Sequence, residues 1–180
     1  MLIDQLGWLC GALQIPSPNQ DCRPIENEVT LVVVHSISLP PGEYFGPGIS
    51  ALFTNAIDPD RHPYFQTLIG LRVSAHVMIR RDGGLVQYVP FLARAWHAGV
   101  SSWQGRDRCN DFSIGIELEG TDDAPFSDAQ YLSLEKLIKG LTAQYSINAV
   151  VGHSDVAPGR KTDPGPFFDW LHLSFLAQSH

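Results

Sequence analysis

The sequence predicts a single α/β domain with a central mixed β-sheet flanked by helices. Three observations carry this expectation. Two short apolar, β-branched runs, 31–34 and 147–151, read as buried strands. An amphipathic stretch with Leu134, Leu137, Ile138 and Leu141 at helical spacing lies between them. Strands and helices alternate along the chain instead of segregating, which favours one mixed sheet with helices packed on it. At 180 residues the chain has the size of one ordinary domain and can bury a substantial core.

Taken in order, residues 1–28 carry Pro16, Pro18 and Pro24 among polar residues and are expected to run as an ordered surface arm, with 29–180 forming the core. The run 31–34 is a central strand ending at His35. Pro40, Pro41 and Gly42 force a turn. The Gly/Pro-rich stretch that follows to Asp58 is a long loop with one helical turn near 49–53, and loops of that length in compact domains are usually functional. Residues 73–80 and 85–89 form a hairpin about Arg81-Asp82-Gly83-Gly84. Residues 113–119 alternate, with Ile114, Ile116 and Leu118 on one face and Gly115, Glu117 and Glu119 on the other. Ser127 to Gln130 resembles a capping box opening the amphipathic helix. The run 147–151 is the last strand, ending at Gly152-His153, and a Gly/Pro-rich loop then leads to a short C-terminal helix.

The composition excludes several classes. With 44% hydrophobic and 17% charged residues the chain is neither disordered nor a membrane protein, and a net charge of -7 argues against a nucleic-acid binder. The three cysteines, Cys10, Cys22 and Cys109, form no CxxC pair, which suggests free thiols in a reducing compartment. The N-terminus has no basic region, and Asp4 interrupts its short apolar run, so neither a signal peptide nor a membrane anchor is expected. A cytoplasmic protein is the expectation.

Among the seven histidines, His35 and His153 share a context, each following an apolar strand and preceding a turn. With Asp163, ten residues beyond His153, they make two imidazoles and a carboxylate, a set that suits Zn²⁺ and leaves a fourth position for water. Spacing alone does not decide this, because a histidine at a strand end is also commonly structural and no HExxH-type signature is present. His76 and His97 read first as hydrogen-bonded structural residues, with His97 also a candidate to line a cleft. His62, His172 and His180 read as surface residues. Glu117, in the middle of an apolar strand, is either a general base tuned by burial or one of two carboxylates, with Glu119, on an outward antiparallel face. Lys161 is either an oxyanion partner beside Asp163 or a solvated loop lysine. Arg72 and Arg108 suit bidentate carboxylate binding or surface ion pairs equally.

The motifs are nonetheless not anonymous. His-Ser-Ile-Ser-Leu-Pro-Pro-Gly (35–42), Leu-Arg-Val-Ser-Ala-His (71–76), Arg-Arg-Asp-Gly-Gly-Leu-Val-Gln-Tyr-Val-Pro (80–90) and Arg-Ala-Trp-His-Ala-Gly-Val-Ser-Ser (94–102) occur in order. Arg-Cys-Asn-Asp-Phe-Ser-Ile-Gly-Ile-Glu-Leu-Glu-Gly (108–120) and Arg-Lys-Thr-Asp-Pro-Gly-Pro (160–166) follow. Over nearly its whole length the sequence resembles the AmpD-type N-acetylmuramoyl-L-alanine amidases, whose fold is shared with phage amidase lysozymes and peptidoglycan recognition proteins.

The resemblance implies one zinc ion per chain held by His35, His153 and Asp163, with Glu117 activating water and Lys161 stabilising the transition state. It implies a groove for the muropeptide lined by Ser36, Arg72, Ala95, Trp96 and Arg108. The implied substrate is peptide-bearing 1,6-anhydro-N-acetylmuramic acid, cut between the lactyl group and L-alanine during peptidoglycan recycling. No nucleic acid, membrane or obligate protein partner is implied. Ser36 departs from the Asn that close relatives often carry, and Asp155 stands at a variable position. The competing readings are a non-catalytic muropeptide sensor of the same fold, an exported amidase acting on intact wall, and another zinc hydrolase such as a deacetylase.

Overall fold

The computed structural model describes residues 1–24 and 29–178, so the end of the expected arm and His180 lie outside the described residues. The amino-terminal segment carries β1 (Leu13–Gln14) and β2 (Gln20–Cys22), and β3 (Leu31–Ile37) follows. After α1 (Gly48–Phe53), the hairpin of β4 (Val77–Ile79) and β5 (Leu85–Gln87) leads to β6 (Ala93–Ala95). A small ribbon, β7 (Ser102–Trp103) with β8 (Arg106–Asp107), precedes β9 (Ser113–Glu119). The chain ends with α2 (Asp128–Gln144), β10 (Ala149–Gly152), α3 (His153–Val156) and a 3₁₀ helix at Trp170–Gln178.

Six strands form the main sheet in the order β1-β5-β4-β9-β3-β10. β4, β9, β3 and β10 run parallel, and β5 is antiparallel to β4, so the sheet is mixed as expected. Parallel strands need cover on both faces. β9, between β4 and β3, is accordingly buried at all seven positions. The outward antiparallel face considered for Glu117 and Glu119 is therefore overturned. Glu119 is consumed structurally: Oε1 accepts from Phe45 N at 2.6 Å and Oε2 from Arg81 N at 3.1 Å.

Alternation sorts the two faces. Val32, Val34, Ile114, Ile116 and Leu118 pack with Leu134, Leu137, Ile138 and Leu141 of α2. Leu31 and Val33 face the other way, toward Ala98, Cys109 and Phe112. The α2 capping box is present: Ser127 Oγ accepts from Gln130 N at 3.2 Å, and Gln130 Oε1 accepts from Ser127 N at 3.1 Å. The strand expected over 73–80 shortens to β4, because Ser74 and His76 bond outside a regular ladder. Ser74 Oγ donates to Asn19 O at 2.6 Å, and His76 Nδ1 accepts from Gly115 N at 3.0 Å.

The amino-terminal segment is stitched into the fold. β1 pairs with β5, β2 pairs with β6, and Leu9, Ser17, Asn19 and Arg23 are buried. The Arg23 guanidinium donates to the carbonyls of Phe91, Asn110, Asp111 and Ser113, and burial lowers its pKa to about 10.

Candidate active site

The proposed ligands meet because the sheet brings their backbones together. His35 and Glu117 are cross-strand partners on β3 and β9, so their side chains leave the same face of the sheet. Gly152 ends β10 opposite Val34, and His153, the first residue of α3, thereby falls beside His35. Asp155 Oδ2 accepts from Gly152 N at 2.7 Å and fastens that strand-to-helix turn. Asp163 reaches the same point from the following loop, whose path is set by a bond from Ser154 N to Asp163 O of 3.0 Å.

His35 Nδ1 lies 2.9 Å from His153 Nδ1, and Asp163 Oδ2 lies 3.1 Å from the former and 3.0 Å from the latter. Two imidazole nitrogens turned on one another and on a shared carboxylate oxygen do not make a closed hydrogen-bond network, since their lone pairs compete for the same few protons. The donor set, two nitrogens and an oxygen directed at one centre, fits a tetrahedral zinc site that keeps one position open. Protonation states agree with this. Burial lowers the His35 pKa to about 4, leaving a neutral imidazole at physiological pH. Burial opposes ionisation of Asp163, but the adjoining imidazoles of His153 and His35 outweigh it and hold the carboxyl below its usual range.

Glu117 is also buried, and its Oε2 is one of two buried side-chain polar atoms without a hydrogen-bond partner among the described residues. Desolvation pushes its pKa well above the usual value; the Asp163 charge adds to this and the Lys161 ammonium opposes it. Lys161 is exposed and lines the same cleft. The cleft, about 790 Å³, is also lined by Ser36, Arg72, Trp96 and His97. Ser36 is partly engaged, its Oγ donating to Asp122 Oδ1 at 2.6 Å.

Two expected groove residues lie elsewhere. Ala95 is fully buried on β6, where it packs among apolar side chains such as Tyr88 and Val89, and its side chain does not reach the cleft. Arg108 lies in a separate depression with Val156 and Pro158, with Nε 3.3 Å from Asp111 Oδ2. That depression adjoins the cleft through Gly99 and Arg160. His76 is structural: with Nδ1 accepting from Gly115 N, its Nε2–H donates to Ala93 O at 3.1 Å.

Asp122 was not singled out in the sequence. It accepts from both Ser36 Oγ and Thr162 Oγ1, next to two of the three proposed ligand residues, and so ties the β3 end to the Asp163 loop. Nothing local marks it, since an Asp in Gly120-Thr121-Asp122-Asp123 reads as ordinary loop.

The family model for N-acetylmuramoyl-L-alanine amidase matches residues 25–166. The chain belongs to this family of hydrolases acting on an amide. Within it, the chain is of the AmpD type. It is 61% identical over 178 residues to the 1,6-anhydro-N-acetylmuramyl-L-alanine amidase AmpD of Citrobacter freundii, covering 98% of this chain and 95% of that one. A crystal structure of a selenomethionine derivative of AmpD superposes with a TM-score of 0.94 at 60% identity, covering 98% of this chain and 99% of the other. The amidase AmiD of E. coli, solved with the substrate anhydro-N-acetylmuramic acid-L-Ala-D-γ-Glu-L-Lys, superposes with a TM-score of 0.61 at 32% identity, covering 87% of this chain and 60% of that one.

Proposed function

We propose that the chain, with one zinc ion held by His35, His153 and Asp163, hydrolyses the amide between the lactyl group of 1,6-anhydro-N-acetylmuramic acid and L-alanine of the stem peptide. The observation that carries this reading is a buried carboxylate, Glu117, directly across the strand pair from His35, with one oxygen that has no hydrogen-bond partner among the described residues. The AmpD name of the relative and the anhydromuramyl peptide in the AmiD structure support the substrate. Peptidoglycan recycling in the cytoplasm follows as the setting, and it suits the free Cys10, Cys22 and Cys109.

Zinc, when bound, supplies Lewis acidity and lowers the pKa of water from about 15.7 to about 7. Glu117 takes a proton from the attacking water at its unpaired carboxylate oxygen and returns it to the alanine nitrogen as the C–N bond breaks. Its buried setting raises its proton affinity, which suits a group that must hold a proton between two steps. Lys161 faces the negative charge that develops on the carbonyl oxygen, and removing one such donor costs roughly 10²–10³ in turnover. Arg72 and Trp96 provide a cation and an aromatic face in the cleft for an acidic, peptide-bearing sugar. Ser36, whose proton goes to Asp122, offers the substrate an acceptor. A sensor without activity would have no use for an unpaired buried acid beside a complete ligand set.

Mass spectrometry of products from a purified anhydro-muropeptide tests the reading. Intact anhydro-N-acetylmuramic acid and a peptide with a free L-alanine amine are expected, with little release from intact sacculi. Cleavage at any other bond, or no cleavage by the zinc-loaded protein, would overturn it.

A further inference from the structure

We infer that His97, oriented by Ser113, is a positioning residue that sets which nitrogen of His35 is offered to the metal. This rests on the zinc site proposed above. The inference follows from the direction of a chain of hydrogen bonds. Ser113 Oγ lies 2.6 Å from the carbonyl oxygen of Cys109, and a carbonyl cannot donate, so the one hydroxyl proton points there. Toward His97 Nε2, at 3.1 Å, Ser113 Oγ can then only accept. Nε2 of His97 therefore carries that ring's proton, and its Nδ1 is a bare acceptor. That Nδ1 lies 2.9 Å from His35 Nε2, which must donate to it. The remaining nitrogen of His35, Nδ1, is left with its lone pair aimed at His153 and Asp163.

Two independent features hold the relay in place. His97 is seated against the sheet at Gly115, where an added Cβ would lie 2.4–2.6 Å from ring atoms, so only glycine admits the imidazole there. The backbone around it is clamped by Asn110 Oδ1, which accepts from His97 N at 3.1 Å and from Ala98 N at 2.8 Å. The neighbouring carbonyl of Ala98 completes the arrangement. It lies 3.3 Å from His153 Nε2, which donates to it and leaves Nδ1 of the second histidine bare as well. One dipeptide thus selects the tautomer of both imidazole ligands, by its side chain at 97 and its carbonyl at 98. Neighbours of this kind fix ring orientation and raise ligand basicity, and losing one typically weakens metal binding about 10–100-fold.

Two readouts test this. In the zinc-loaded protein, ¹⁵N NMR of His97 is expected to show a protonated Nε2 and a bare Nδ1; a protonated Nδ1 would overturn the inference outright. Zinc affinity, measured by chelator competition, is expected to fall roughly 10–100-fold in His97→Leu. It is expected to recover largely in His97→Asn, whose Oδ1 restores an acceptor near the Nδ1 position. Equal affinity of His97→Leu and the parent, or no advantage of Asn over Leu, would contradict the proposal. Should His97→Leu not fold, Ser113→Ala decides: loss of the pure Nε2–H form supports the relay, and an unchanged spectrum contradicts it. If the parent itself bound no zinc, the metal-site reading would fail rather than this one.

Discussion

Glu117 sits between Ile116 and Leu118 on a strand with no exposed position, and the charge that favours its ionised form is the Lys161 ammonium. Glu117→Gln keeps the shape and removes the base, so zinc content should stay at the parent level while turnover falls about 10²–10⁴-fold. Near-parental turnover in that variant would remove Glu117 from the proton-transfer role. The same residue carries a stability signature in zinc-free protein. Its folded pKa lies above the ordinary 4.5, so its contribution is fully present below that pH and is lost as pH rises through the folded value. The melting temperature of zinc-free Glu117→Gln minus that of the zinc-free parent should therefore increase from pH 4 toward pH 8, and a flat difference would contradict the burial argument. At the cleft wall, Arg72→Ala should raise KM for the acidic peptide with little change in kcat, as loss of uniform binding does.

At the scale of elements, the sheet separates stability from chemistry. α2 packs on the face opposite Glu117, so Ser127→Ala, which removes its capping box and the 2.6 Å bond to Arg81 O, should cost about 0.5–2 kcal/mol by thermal or urea unfolding and leave kcat/KM unchanged. Much of this architecture is legible in the residues themselves. The capping signal at Ser127, the helical spacing of Leu134 to Leu141, the hairpin about Gly83 and the alternation of 113–119 each follow from local periodicity or turn chemistry. Strand order and register are not local properties. Two-sided burial of β9 therefore could not be read from its alternation, which equally describes a half-exposed strand. The His35–Glu117 pairing depends on a partner more than eighty residues away in sequence and appears only once β3 and β9 are aligned. For the same reason Ala95 was expected in the groove and lies in the core, and Asp122, which joins two ligand loops, carried no signal at all. His97 was readable as a cleft residue but not as the neighbour of His35.

For the whole molecule, the proposed metal ligands, His35, His153 and Asp163, are attached to a core built from other residues. The apolar clusters on the two faces of the sheet make a core of ordinary domain size, so the fold is expected to form without the ion. Zinc should therefore raise the melting temperature by mass action on a folded protein, in contrast to small zinc domains that unfold without metal. On the proposed mechanism amide hydrolysis, unlike folding, depends on the ion entirely. The most direct measurement is peptide release from anhydro-muropeptide as zinc is titrated back into chelator-stripped, folded protein. Turnover should be absent without metal and rise linearly to saturation at one zinc per chain. Full turnover in metal-free protein, or saturation that His153→Ala leaves unchanged, would contradict the account.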